Sequence, residues 1–130
     1  MFLIRTEIRP SKIHGLGCFS LENVKKGQRI WVFDTRIDTR FEVDGIISLP
    51  PAAIEFVKTY GYHEFVEGKR VVTLCGDNEK YMNHSDDPNV ITSQQEKEFE
   101  IAARDISIDE ELTTNYRIFD LDADVKLPMD

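Results

Sequence analysis

The chain has 130 residues, a hydrophobic fraction of 41% and a formal charge of −8, which fits one domain around a single core rather than two. Such acidity repels phosphate backbones and anionic lipid and favours cationic partners, so direct nucleic-acid or membrane binding is a poor fit. No stretch approaches the about 20 apolar residues of a membrane span, Arg5 interrupts the apolar start, and Cys18 and Cys75 stand apart without zinc spacing, so the expectation is a soluble, cytoplasmic protein with two buried thiols and no metal.

In chain order, Phe2 to Ile8 alternates as a half-buried strand, ended by Pro10 and the loop Lys12-Ile13-His14-Gly15-Leu16-Gly17. After a turn at Gly27, Arg29 to Phe33 is the richest run of β-formers, and Arg40 to Val43 before Asp44-Gly45 reads as another short strand with its turn. The one helix follows Ser48 as its capping region, starts through Pro50 and Pro51, and runs from Ala52 to Tyr60 with Ile54, Val57 and Tyr60 on one face. Gly61 is placed to let the chain leave in a left-handed conformation. Arg70 to Cys75, Glu98 to Ala103 and Leu112 to Tyr116 return to strand character. The stretch 120–130 is acidic and short of large apolar residues, so it frays or only lightly covers the domain.

Two segments carry more hydrogen-bonding groups than turns require. In Asn83-His84-Ser85-Asp86-Asp87-Pro88-Asn89, turn chemistry explains the Asp, Ser and Pro but not His84 beside Asn83. Tyr116 adds a phenol at the end of the last strand-like segment, and together they suggest a site for a polar small molecule. Gly15 and Gly17 serve a turn, or let the backbone come close to a ligand. Glu110 and Glu111, adjacent on a strand, point to opposite faces and read as a solvated face or ion pair rather than an acid/base pair. Asp77, Asp86 and Asp87 lack the spacing of a calcium loop, and no phosphate-binding loop, dinucleotide fingerprint or Ser-His-Asp order occurs.

Taken in order, Gly15-Leu16-Gly17-Cys18-Phe19, Lys26-Gly27, Tyr81-Met82-Asn83-His84-Ser85 with Pro88-Asn89, Ala103-Arg104-Asp105-Ile106, and Glu110-Glu111-Leu112 through Tyr116 resemble the SET domain of protein lysine methyltransferases. The match extends over nearly the whole chain. The resemblance implies a mainly β, β-clip-like fold of several small sheets with one short helix and a C-terminal pseudoknot, in which the last strand region passes beside the Asn-His segment. It implies one domain over 1–119 and an acidic tail over 120–130. It also implies S-adenosylmethionine as cofactor, held by His14, Gly15, Leu16, Gly17, Asn83, His84, Tyr116 and Phe119, with a lysine of a basic protein substrate entering from the opposite face.

Tyr116 is the catalytic residue in that reading. The lysine must lose a proton, which costs roughly 4–5 kcal/mol at neutral pH from a pKa of ~10.4. A sulfonium charge about 4 Å away offsets about 4 kcal/mol of this at an effective dielectric near 20, and desolvation acts in the same sense. Tyr116 is therefore assigned to orienting the amine and stabilising partial charge on the methyl group, with the proton leaving through water.

The sequence departs from the family pattern in four places. Asp109 replaces the usual glycine before the two glutamates, a change a left-handed turn tolerates. Asp86 replaces a cysteine used for zinc in many nuclear members, and no cysteine follows Tyr116, so the zinc-bearing extension is absent from this sequence and a lid must come from 117–128 or a second subunit. Thr114 stands where an aromatic often limits the number of methyl groups. The insert before Arg70 is short. These departures suggest two other arrangements, a non-catalytic module for protein interaction or cofactor sensing and a homodimer in which each tail closes its neighbour's channel.

Overall fold

The computed structural model describes residues 1–119, the side chains of 118 and 119 excepted. Strand-forming runs in this chain are only two to six residues long, and they gather into three small sheets rather than one large one. The first holds β1 (Thr6–Pro10), β2 (Leu16–Ser20), β10 (Glu111–Thr114) and β7 (Asn83–His84), in that spatial order. A second is built from β3 (Arg29–Val32), β9 (Phe99–Ala102) and β8 (Val90–Thr92). The third orders β4 (Thr39–Glu42), β6 (Lys69–Leu74) and β5 (Tyr62–Val66). The fold is thus mainly β, as expected, and no helix among the described residues is long and apolar enough to cross a membrane.

The expected knot-like crossing is present. β10 pairs antiparallel with β2 at Glu111–Phe19 and Leu112–Cys18, then parallel with β7 at Thr113–Asn83 and Thr114–His84. The main core lies beneath these strands and includes Ile4, Cys18, Val24, Ile30, Met82, Val90, Ile106 and Leu112. Cys18 and Cys75 are both free and buried, and burial pushes the Cys18 thiol up to about 12 and raises that of Cys75 further, which makes both poor nucleophiles. A smaller core of Ile46, Val57 and Val72 holds the helices against the third sheet.

Several local expectations are corrected. The first strand is Thr6–Pro10 rather than Phe2 to Ile8; Phe2 makes one isolated bridge to Trp31, and Pro10 is accepted because β1 lies at a sheet edge. Val43, Asp44 and Gly45 are not a strand end and turn but begin α1 (Val43–Ile47), where burial of Ile46 outweighs the turn preference of Asp-Gly. The predicted helix exists as α2 (Pro51–Tyr60), with Pro50 at its cap position; the Ser48 hydroxyl instead bonds back to the Gly45 carbonyl at 2.8 Å. Gly61 is extended (φ −83°), not left-handed. Glycine is needed there for space, since a Cβ would stand 2.6 Å from the Val57 carbonyl oxygen. Finally, the last strand stops at Thr114, and Tyr116 opens a helical turn, α3 (Tyr116–Phe119).

Candidate active site

A hydroxyl at Ser11 organises the glycine loop from within. Its oxygen accepts from the Ile13 amide at 2.9 Å and the His14 amide at 3.3 Å, while its proton is given to the Glu111 carboxylate at 2.8 Å. Gly15 carries the left-handed φ of +47° that closes the loop onto β2. The Asn83 amide, itself buried, donates to the carbonyls of His14 (3.0 Å) and Leu16 (3.1 Å) and to Glu111 (3.0 Å). One side chain on β7 thereby ties the loop to the knot.

The knot is locked a second time by Asn89, which is 1% exposed. Its side-chain oxygen accepts from the Thr113 amide at 2.8 Å, and its nitrogen donates to the Glu111 carbonyl at 2.8 Å and the Glu110 carboxylate at 2.9 Å. Glu110 and Glu111 do face different partners, but Glu111 is more than an ion-pairing group: it braces Asn83 and Ser11 at once.

Tyr116 is held at three points. Its amide donates to His84 Nδ1 at 3.1 Å, which fixes that nitrogen as an acceptor and leaves Nε2–H to donate to Asp86 at 2.7 Å. Its hydroxyl donates to the Met82 carbonyl in a short bond. Its ring stands edge-on to that of Tyr62, with centroids 6.0 Å apart.

Around these groups runs a cleft of about 1070 Å³ lined by His14, Gly15, Leu16, Asn83, His84 and Tyr116. Six of the eight residues expected to hold a cofactor therefore share one recess. Gly17 does not line it. That residue is buried against Glu111, where a Cβ would come within 2.5 Å of the carboxylate. The side chain of Phe119, and the lid expected from 117–128 beyond residue 119, lie outside the described part of the structure. The opposite wall was not anticipated: α2 contributes Ile54, Glu55, Lys58 and Tyr60, and the 3-10 turn Asn78–Tyr81 contributes Lys80 and Tyr81. Aromatic rings beside both signs of charge suit a ligand with an aromatic base and a zwitterionic end.

A second cavity, of about 340 Å³, opens between the second and third sheets. One cross-strand row of each sheet faces it. Trp31 lies opposite Glu100, and Glu100 opposite Thr92; in the other sheet Arg40 pairs with Thr73 and Thr73 with Tyr62. A bulge at Ile30 gives Trp31 its place opposite Glu100. Glu79 and Cys75 add to the lining. Glu79 is 2% exposed, and burial pushes its carboxyl up to about 7 against a lowering hydrogen bond from Cys75. Burial and the charges of Glu79 and Glu64 hold Glu100 well above the carboxylate range, and burial likewise raises Tyr62.

Known proteins resemble this chain in sequence family and in fold. A family profile described as SET domain matches residues 15–117. No curated protein sequence matches the chain. Among solved structures, a candidate histone methyltransferase of Plasmodium falciparum is 25% identical, with a TM-score of 0.58 over 87% of this chain and 93% of its own. CpSET8 of Cryptosporidium is 18% identical with a TM-score of 0.62, covering 87% of this chain and 57% of that one. The polycomb repressive complex 2 of Chaetomium thermophilum is 19% identical with a TM-score of 0.62, and there 87% of this chain spans only 15% of the other. At those last two identities the likeness concerns the fold.

Proposed function

The chain belongs to the SET domain family, and from that premise we propose that it is a methyltransferase that moves a methyl group from S-adenosylmethionine to a lysine side chain of a basic protein. The observation that carries this reading is the position of Tyr116, which lines the large cleft while its ring meets that of Tyr62, a wall of the smaller cavity. Displacement at a methyl carbon needs nucleophile and leaving group on opposite sides of it, and two recesses meeting at a pair of tyrosines supply two such approaches. S-adenosylmethionine, bound in the large cleft, supplies the methyl group and a sulfonium charge. His14, Gly15, Leu16, Asn83, His84 and Tyr116 hold it there, with Tyr60 and Tyr81 as aromatic surface and Glu55, Lys58 and Lys80 as charges for its amino-acid end.

The smaller cavity receives the lysine. Glu64, Glu79, Glu98 and Glu100 line it beside Arg40 and Lys97, so its wall offers carboxyl oxygens as hydrogen-bond acceptors to an ammonium group. Tyr116, tethered through Met82 and His84, presents its phenol and ring at a fixed place beside the methyl group, and orients the amine.

Titration calorimetry of S-adenosylmethionine into the wild-type protein and into Asn83→Ala tests the proposal. Saturable binding that the substitution abolishes, followed by incorporation of labelled methyl into a basic protein, is the expected result. Absence of heat with and without basic protein would refute it in favour of a non-catalytic module on the same fold.

A further inference from the structure

Among the described residues three buried side-chain atoms find no hydrogen-bond partner within the protein: Trp31 Nε1, Glu79 Oε2 and Glu100 Oε2. All three residues line the same cavity. Elsewhere this chain satisfies its buried polar groups thoroughly, as Asn83 and Asn89 do. Two unpaired carboxylate oxygens inside one cavity are costly unless something cationic or protic enters. Glu79 accepts from the Tyr62 hydroxyl on its other oxygen, but a strand position opposite Trp31 takes an apolar residue readily, so structure alone gives no reason for glutamate at Glu100.

We propose that Glu79 and Glu100 act as a pair, one carboxyl ionised at a time, and that the free Oε2 of the ionised member is the first acceptor of the substrate lysine's proton. The inference rests on the methyltransferase reading above and adds to it the fate of that proton. In the step, a lysine Nζ–H bond breaks and an O–H bond forms on the carboxylate, while the electron pair stays on nitrogen. That pair then forms the N–CH3 bond as the C–S bond breaks, its electrons remaining on sulfur, which ends as a neutral thioether. The methylated nitrogen is left cationic and gives up its extra proton to solvent.

The surroundings suit the role. Tyr62 donates toward Glu79 Oε1 at 3.4 Å, which leaves Oε2 for the incoming group. Tyr62, Cys75, Cys18, Asp77, Asp38 and the Met1 ammonium act on Glu79, and Glu64 and the same ammonium act on Glu100. Burial first, and then the carboxylates that outnumber cations in that set, hold a proton more firmly here than on an exposed glutamate. Glu79 loses its proton at about 7 while Glu100 holds its own more tightly, so the pair keeps one ionised member that is matched to removing a proton at neutral pH.

Two measurements on wild type, Glu79→Gln, Glu100→Gln and the double variant test this. In single-turnover methylation of poly-L-lysine with labelled S-adenosylmethionine, each single variant should be slower by about tenfold or more near neutral pH and approach wild type near pH ~10, where lysine deprotonates itself, with cofactor affinity within about twofold. Equal losses at every pH, or none, would overturn the inference. The second uses n-butylammonium, a lysine side chain without its backbone, titrated against the fluorescence of Trp31, the chain's one tryptophan. Saturable binding weakened about tenfold or more in the double variant is expected, and binding that is absent or indifferent to the substitutions would overturn it. Carboxylate-dependent binding of the amine without methylation by wild type would instead remove the enzyme reading, and the proton transfer with it, while methylation indifferent to both substitutions would leave the enzyme and remove only the carboxylates' role.

Discussion

The knot and the acidic cavity are both buried polar clusters, on either side of a pair of tyrosine rings, yet they are put together in opposite ways. In the knot the side-chain nitrogen of Asn83 and both polar ends of the Asn89 side chain meet partners, and Glu111 serves two neighbours at once. In the cavity three buried atoms meet none. A saturated network fixes one arrangement of the chain, because breaking any member strands the others. An unsaturated one weakens the fold and persists where something else completes it. The difference separates a part of the site that is complete within the chain from a part that is left open to a further group.

The largest effect expected to expose that division is on turnover. Tyr116→Phe should lower methyl transfer by about 10²–10³-fold, since it removes a positioned phenol, while S-adenosylmethionine affinity by calorimetry stays within a few-fold. In the cavity, Glu79→Gln should alter stability rather than assembly. The folded state holds the Glu79 proton more tightly than the unfolded chain, so this group's contribution to stability is greatest below about pH 4.5 and declines between there and about 7, by at most about 3 kcal/mol. Urea midpoints across that range should show the decline flattened in the variant. In the knot the sign is reversed: Gly17→Ala pushes Glu111 off Asn83 and Ser11 and should cost about 1–3 kcal/mol at any pH, with weaker cofactor binding. The smallest effect belongs to Asp109, whose φ of +73° and exposed pairing with Arg9 make Asp109→Gly neutral within about 0.5 kcal/mol by thermal melting.

Sequence reading went furthest where one residue type had one use. Asn83, His84 and Tyr116 could be placed in a common site because their motifs are ordered, and Asp109 was expected in the left-handed turn it occupies. Prediction failed where tertiary packing decided. Asp44-Gly45 looks like a turn, but Ile46 packs into the small core and draws the segment into a helix. The hairpin joining β5 and β6 through Glu67-Gly68 has positive φ at both turn residues, and the glutamate concealed the usual signature. The cavity was invisible for a related reason. Alternation of Glu98, Phe99 and Glu100 assigns the glutamates to solvent, and only the bulge at Ile30, which no local pattern announces, sets Trp31 opposite Glu100.

The Ser11–Glu111 hydrogen bond joins residues 100 positions apart, and the parallel pairing of β7 with β10, Asn83 beside Thr113, closes a shorter loop inside it. Contacts of such separation form late, because the entropy of closing a long loop is spent before any of them is rewarded. During synthesis the glycine loop thus emerges long before the strand that braces it. The large cleft is complete only once Tyr116 and the braced loop are both in place, so ligand binding by a newly made chain would report that the two ends of the topology have met.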